Sequence, residues 1–240
     1  MKLTKDAGGI STQAIEEDFC EVGSVVTTET DNGYELVFNQ CESDLFGTIY
    51  RLDGKVAYLE RDNGGTLTYD EFRSSLTKDS DILTIDVNGS IDLVVTDPFV
   101  PAGTVTLDLS YDLSVACGGS EASGSFSYDK LLITVANDGG ITINGGLSFS
   151  FRDAEESVSL SATVATAEPI RFEKEFSEYP SSGKVNVTLN GETIVIEYVA
   201  GGVLVDGEFV SWEEIEADFD EDDFDDVADQ CSFFDLDIDV

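Results

Sequence analysis

Four cysteines and fifty carboxylates are the side chains with chemistry to offer in this chain, and no histidine accompanies them. That absence removes Ser-His-Asp and Cys-His catalysis, His-containing zinc sites and histidine pH switching together. Paired carboxylates could still cleave a glycosidic bond, at about 5 Å apart for retention or about 6.5 to 9.5 Å for inversion. No pair among the fifty is singled out by spacing, so a carboxylate-based glycosidase stands only as an alternative, and the expectation leans away from an enzyme. Asp218, Asp220 and Asp222 present hard oxygen ligands at alternate positions inside the acidic run Glu213 to Asp229. This is the candidate calcium site, although no glycine follows to shape a tight loop. Glu60, Asp62, Gly65, Leu67 and Glu71 fall at EF-hand offsets, but the first position is Glu, Gly64 replaces a ligand, and the flanks read as strand. A hairpin turn fits that stretch better than a calcium loop.

Cys20, Cys41, Cys117 and Cys231 are an even set with no C-x-x-C spacing. Two disulfides in an oxidising compartment is the simplest reading, with three connectivities open; four buried thiols in a cytosolic protein is the alternative. Cys20 and Cys41 flank a candidate hairpin turning at Asp31-Asn32-Gly33, which makes them the first choice of pair. Cys117 and Cys231 would then fasten the C-terminal end to the sheet.

Fifty acidic against twelve basic residues give a formal charge of −38. Nucleic acid and anionic membrane surfaces both require clustered Lys or Arg and are excluded as partners. Export would need a signal peptide, and the basic Met1-Lys2-Leu3-Thr4-Lys5 is followed by no apolar run, so the expectation is a leader already removed. No segment is long and apolar enough to cross a membrane as a helix.

The elements that would carry these groups are strands. From Gly103 to Cys117 the odd positions Val105, Leu107, Leu109, Tyr111, Leu113 and Val115 are apolar and the even ones polar. A period of two held this long marks a strand with one buried face, spanning about 40 Å at roughly 3.3 Å per residue. Ile141, Ile143, Leu147, Phe149 and Phe151 repeat the pattern, as do Leu83 to Val95 and Tyr50 to Tyr58. Lipid would need apolar side chains on the outer face, where these strands carry Asp, Ser and Thr, so an outer-membrane barrel does not fit.

Parity also sorts the Asn-Gly pairs. A two-residue turn at Asn144-Gly145 would set Ile143 against Gly146 and mix the faces, whereas reading straight through keeps Ile141, Ile143, Gly145, Leu147 and Phe149 on one side. Asn190-Gly191 behaves oppositely: pairing across it joins Val187 to Ile194 and Val185 to Ile196, a true hairpin. Glycines 54, 89 and 145 thus sit on the apolar faces of long strands, where glycine marks a bend or close approach. The parity of the apolar residues changes near Lys130, which predicts a bulge.

These signals predict an all-β fold: a long antiparallel meander of roughly a dozen strands, curled into a barrel-like or strongly bent sheet, with a β-sandwich as the alternative. Residues 1–19 form a loose leader, 20–212 a single domain, and 213–240 an acidic tail whose alternating Phe234, Leu236, Ile238 and Val240 suggest a last strand. A curled sheet lined by Tyr50, Tyr58, Tyr111, Phe126, Tyr128, Phe149 and Phe151 could enclose an apolar ligand. That makes a carrier the second reading. The first is a non-catalytic, exported scaffold or binding domain with a protein or glycan partner. Trp212, after an Asp206-Gly207 turn, is expected as a core plug in preference to a sugar platform.

Cys20, Val37-Phe38-Asn39-Gln40-Cys41, Val87-Asn88-Gly89, Ile143-Asn144-Gly145, Tyr179-Pro180-Ser181-Ser182-Gly183 and Trp212-Glu213-Glu214-Ile215 together give a pattern over residues 19–215. In this the chain resembles uncharacterised secreted or lipid-anchored β-rich proteins of proteobacteria. The resemblance implies a bacterial secreted or cell-envelope location, with a lipid anchor on the full-length precursor, and supports pairing Cys20 with Cys41. It implies no activity. Where those proteins carry an Asp-rich turn before the Trp, this chain has Val199-Ala200-Gly201-Gly202 with Asp206 as its one acid, which counts against calcium there.

Overall fold

The computed structural model describes residues 20–97, 102–153, 157–173 and 178–218. Among these, thirteen strands follow one another in sequence and in space: β1 (Val22–Thr30), β2 (Gly33–Leu45), β3 (Thr48–Arg61), β4 (Gly64–Lys78), β5 (Asp81–Asp97), β6 (Ala102–Cys117) and β7 (Ser120–Val135), then β8 (Ile141–Arg152), β9 (Ser157–Arg171), β10 (Ser182–Leu189), β11 (Glu192–Val199), β12 (Gly202–Val205) and β13 (Glu208–Ser211). Each pairs antiparallel with its chain neighbours in a single sheet ordered β1 to β13. A short helix, α1 (Trp212–Asp218), closes the described chain.

The sheet is open. β1 and β13 lie at opposite edges, so the expected barrel-like or strongly bent curl is not what forms, and with one sheet there is no sandwich either. The reason lies at the glycines, which serve to seat bulges. On β2, Gln40 adopts a left-handed φ of 48° where the pairing with β3 slips between Phe38 and Cys41, opposite Gly54 at φ 91°. On β4, Glu71 does the same between Tyr69 and Phe72, and on β7 Lys130 does so between Asp129 and Leu132. The residue before the glycine secures the bulge: Gln40 N–H donates to Asp53 Oδ1 at 3.3 Å, and Glu71 N–H to Asn88 Oδ1 at 2.7 Å. Asn144 instead accepts from Thr166 N–H on β9 at 3.1 Å. The bare Gly54 lets Phe38 and Phe72, two strands apart, meet with ring centroids 5.7 Å apart. A bulge adds twist locally; ring packing then fills the space that the glycine leaves, and closure is not required.

Register keeps the two faces separate. Val87, Tyr111, Phe126, Phe149 and Leu160 form one cross-strand row from β5 to β9, and Ile85, Leu113, Gly124, Phe151 and Val158 form the next. Asn190-Gly191 is a hairpin turn, with Leu189 opposite Glu192, whereas Asn144-Gly145 runs straight through β8. Because the described residues form a single layer, few of their side chains are fully buried. The tightest group is Val25, Phe38 and Cys41, packed with Cys20, Leu36, Leu52, Val56 and Phe72. The Cys20–Cys41 disulfide anchors it, with Cα atoms 5.1 Å apart across 21 residues of sequence, a loop closure worth about 3 kcal/mol in the chain-entropy view. A smaller cluster joins Cys117 to Leu76, Leu83 and Val115. Cys117 is disulfide-bonded, and Cys231 lies outside the described residues.

Candidate functional site

The aromatic residues expected to line a ligand cavity share one face of the sheet without enclosing anything. Tyr111 stacks on Phe126 at 5.8 Å between centroids, Phe126 tilts against Phe149 at 4.9 Å, and Tyr128 meets Tyr111 edge-on at 6.0 Å. Phe151 stands opposite Gly124 in the next row. Tyr58 belongs to a separate pair with Tyr34 at 5.6 Å, and Tyr50 faces Leu76 on β4. Among the described residues the face spans β5 to β9 as one uncovered apolar surface: Leu113 is 42 % exposed, Phe126 38 % and Val158 50 %. The curl expected to enclose an apolar ligand is thus not present among the described residues.

Within this face two phenols meet. The Tyr111 and Tyr128 hydroxyls are hydrogen-bonded at 3.1 Å. Burial, reinforced by that bond and by the neighbouring phenol, pushes the Tyr111 pKa up to about 12.

The opposite face carries the charges, arranged across strands. Arg73 donates to both oxygens of Asp86, at 2.6 and 3.0 Å, which holds its guanidinium pKa above the usual value. Lys55 pairs with Glu35 at 2.9 Å, Arg51 with Glu42 at 2.5 Å, and Arg61 with Asp92. The Asp92 carboxyl is held below its usual range, first by the Thr66 hydroxyl and then by Arg61. Serine pairs Ser125–Ser150 and Ser127–Ser148 bridge β7 to β8 at 2.7 and 2.6 Å.

Two shallow grooves run over this polar side and meet at Asp86 and Asp112. One, of about 620 Å³, is lined by residues including Asn39, Asp53, Lys55, Asp70, Arg73 and Asn88. The other, of about 400 Å³, is lined chiefly by serines of β6 to β9 with Arg152. Asp86 and Asp112 are register partners on β5 and β6, a juxtaposition that no spacing in the sequence announces. Asp86 is committed to Arg73. The grooves offer mixed charge and hydroxyls for polar contacts.

Among the described residues no group of three or more Asp, Glu or Cys is placed to hold a metal ion. Of the calcium candidates, Asp218 ends α1, while Asp220 and Asp222 lie outside the described residues. The Glu60 to Glu71 stretch is a hairpin, with Arg61 opposite Gly64.

Near the C-terminal end Trp212 stacks on Tyr179 at 4.8 Å and lies 6.3 Å from Tyr198. It opens α1, whose remaining residues belong to the acidic run that begins at Glu213. Ser211 and Glu214 form a capping box there: Ser211 Oγ accepts from Glu214 N–H at 3.2 Å, and Glu214 Oε2 accepts from Ser211 N–H at 2.8 Å. That acceptor role holds the Glu214 carboxyl below its usual range. The Ser-x-x-Glu spacing was the available signal.

Comparison with family models, with curated proteins and with solved structures finds no match. No helix of the described chain is long and apolar enough to cross a membrane.

Proposed function

We propose that this chain is a non-catalytic scaffold or binding domain of a bacterial cell envelope or its surroundings. The observation that carries the reading is the continuous apolar face of β5 to β9, which no other described residue covers, in a sheet whose other face is highly charged. A folded chain that exposes so large a patch commonly uses it for association. The Cys20–Cys41 disulfide and the bonded state of Cys117 support an oxidising compartment.

Native mass spectrometry on protein secreted from an exporting host, with and without a calcium chelator, tests the proposal. Two disulfides lower the mass by about 4 Da from the reduced value, since each bond removes two hydrogens. Oxidised protein free of small-molecule adducts is the expected result. A retained lipid would replace the scaffold reading with a carrier, chelator-sensitive calcium would replace it with a metal-dependent domain, and fully reduced protein would refute export.

A further inference from the structure

The uncovered side of β5 to β9 has the chemistry of an interface. Its two best-exposed rows, Ile85-Leu113-Gly124-Phe151-Val158 and Val87-Tyr111-Phe126-Phe149-Leu160, contain no charged residue, although the chain carries 62 Asp, Glu, Lys and Arg in all. The Tyr111 O–H donates to the Tyr128 hydroxyl at 3.1 Å, so burying the pair leaves only the Tyr128 proton to be placed. Beside the Phe126 and Phe151 rings, Gly124 leaves a notch: a Cβ placed there would meet only the Ser150 carbonyl oxygen, at 3.4 Å. Ring and notch lie in adjacent rows, so the patch offers both a knob and a hole.

We propose that this face is the contact between two copies of the chain, apolar side against apolar side about a two-fold axis. The inference rests on the reading of the sheet as a binding surface and names its partner. Self-complementarity is what an isologous contact requires, and the neighbouring knob and hole supply it. Five strands about 4.8 Å apart and roughly 40 Å long present on the order of 950 Å². A stable pair needs about 800 Å² from each partner.

Charge decides against an anionic lipid surface as the occupant, since each chain bears −38. It does not prevent self-association, because the charged faces would point outward, on the order of 20 Å apart for two sheets packed about 10 Å face to face. Such charges are screened at 0.15 M salt, where the Debye length is about 8 Å. They are not screened at 0.01 M, where it is about 30 Å. The pair should therefore form in salt and separate without it.

The test is light-scattering mass of the full chain across sodium chloride concentrations, with oxidative footprinting of the Phe126 and Phe151 rings. The expected mass is twice 25.9 kDa at 0.15 M and above, falling toward 25.9 kDa at 0.01 M. The two rings should be protected only in the heavier species. Phe126→Ala, a truncation at the centre of the patch, should weaken the pair by about 10-fold or more, as removal of a buried aromatic anchor does. Ser127→Ala on the opposite face should leave it unchanged. Footprinting on wild-type protein keeps the test valid if Phe126→Ala unfolds. A mass of 25.9 kDa at high salt overturns the proposal. So does a pair whose rings stay reactive, which would place the contact elsewhere, such as the β1 edge. Either failure leaves the scaffold proposal to its own adduct measurement.

Discussion

The Tyr111 hydroxyl shows how one side chain records its surroundings. It sits among apolar rings with a second phenol as its hydrogen-bond partner, and burial there makes the phenolate costly. A phenol whose pKa is raised on folding adds stability in full below the unfolded value near 10 and loses it as pH rises toward about 12. Stability should therefore decline across that window. In ultraviolet titration the late ionisation should have two contributors, Tyr111 and Tyr198, whose phenol burial also raises, and Tyr111→Phe should diminish it. A late step of unchanged amplitude in the variant would refute the assignment. At this scale the sequence was legible wherever period alone decides. Tyr111, Phe126, Tyr128, Phe149 and Phe151 do share a face, and Cys20 does bond Cys41, whose positions flank one hairpin. What stayed hidden was cross-strand pairing: nothing local tells that Asp86 will stand beside Asp112, or that Tyr50 will face Leu76 while Tyr58 meets Tyr34.

At the scale of the strand, parity distinguished the Asn-Gly pair inside β8 from the one that turns between β10 and β11. A glycine on an apolar face has more than one use. Read alone, Gly54, Gly89 and Gly145 suggest a curl; read with Phe38-Asn39-Gln40-Cys41, Tyr69-Asp70-Glu71-Phe72 and Tyr128-Asp129-Lys130-Leu131, they are halves of a bulge pair. In each four-residue run two polar residues interrupt the alternation, which is the trace a bulge leaves in sequence. Gly89 tests this directly. Its φ is 115°, and a Cβ would lie 2.1 Å from the Asp108 carbonyl oxygen, so Gly89→Ala must displace β6 backbone. We expect it to lower the urea unfolding free energy by about 3 kcal/mol, combining steric displacement with strain at positive φ. Gly119→Ala, at φ 89° but facing open space, should cost about 1 kcal/mol from the conformational term alone. Equal losses would mean that close approach between strands does not hold the bulge in place.

Across the whole molecule, the largest number is the charge. Twelve cations cannot neutralise fifty acids, and the ion pairs, Arg73–Asp86 and Lys184–Glu197 across strands and Arg171–Asp138 at a turn among them, are solvent-facing. Exposed pairs contribute little, so repulsion among unpaired carboxylates should dominate the response to salt. Raising sodium chloride from 0.01 to 0.5 M should increase stability by ~2 kcal/mol, or about 5 °C in Tm for a chain of this length. A fall in Tm would show that the ion pairs outweigh the repulsion. Salt would also favour association of two copies, and association itself raises Tm with protein concentration. The two effects separate by dilution: a shift independent of concentration, and retained in a folded Phe126→Ala variant, belongs to repulsion within one chain. A shift that vanishes on dilution belongs to the contact between copies. Calcium chloride at matched ionic strength completes the comparison, because a built site would saturate at low concentration, whereas diffuse attraction to fifty carboxylates would rise gradually with the divalent ion. The open polar face and its mixed-charge grooves favour the gradual response.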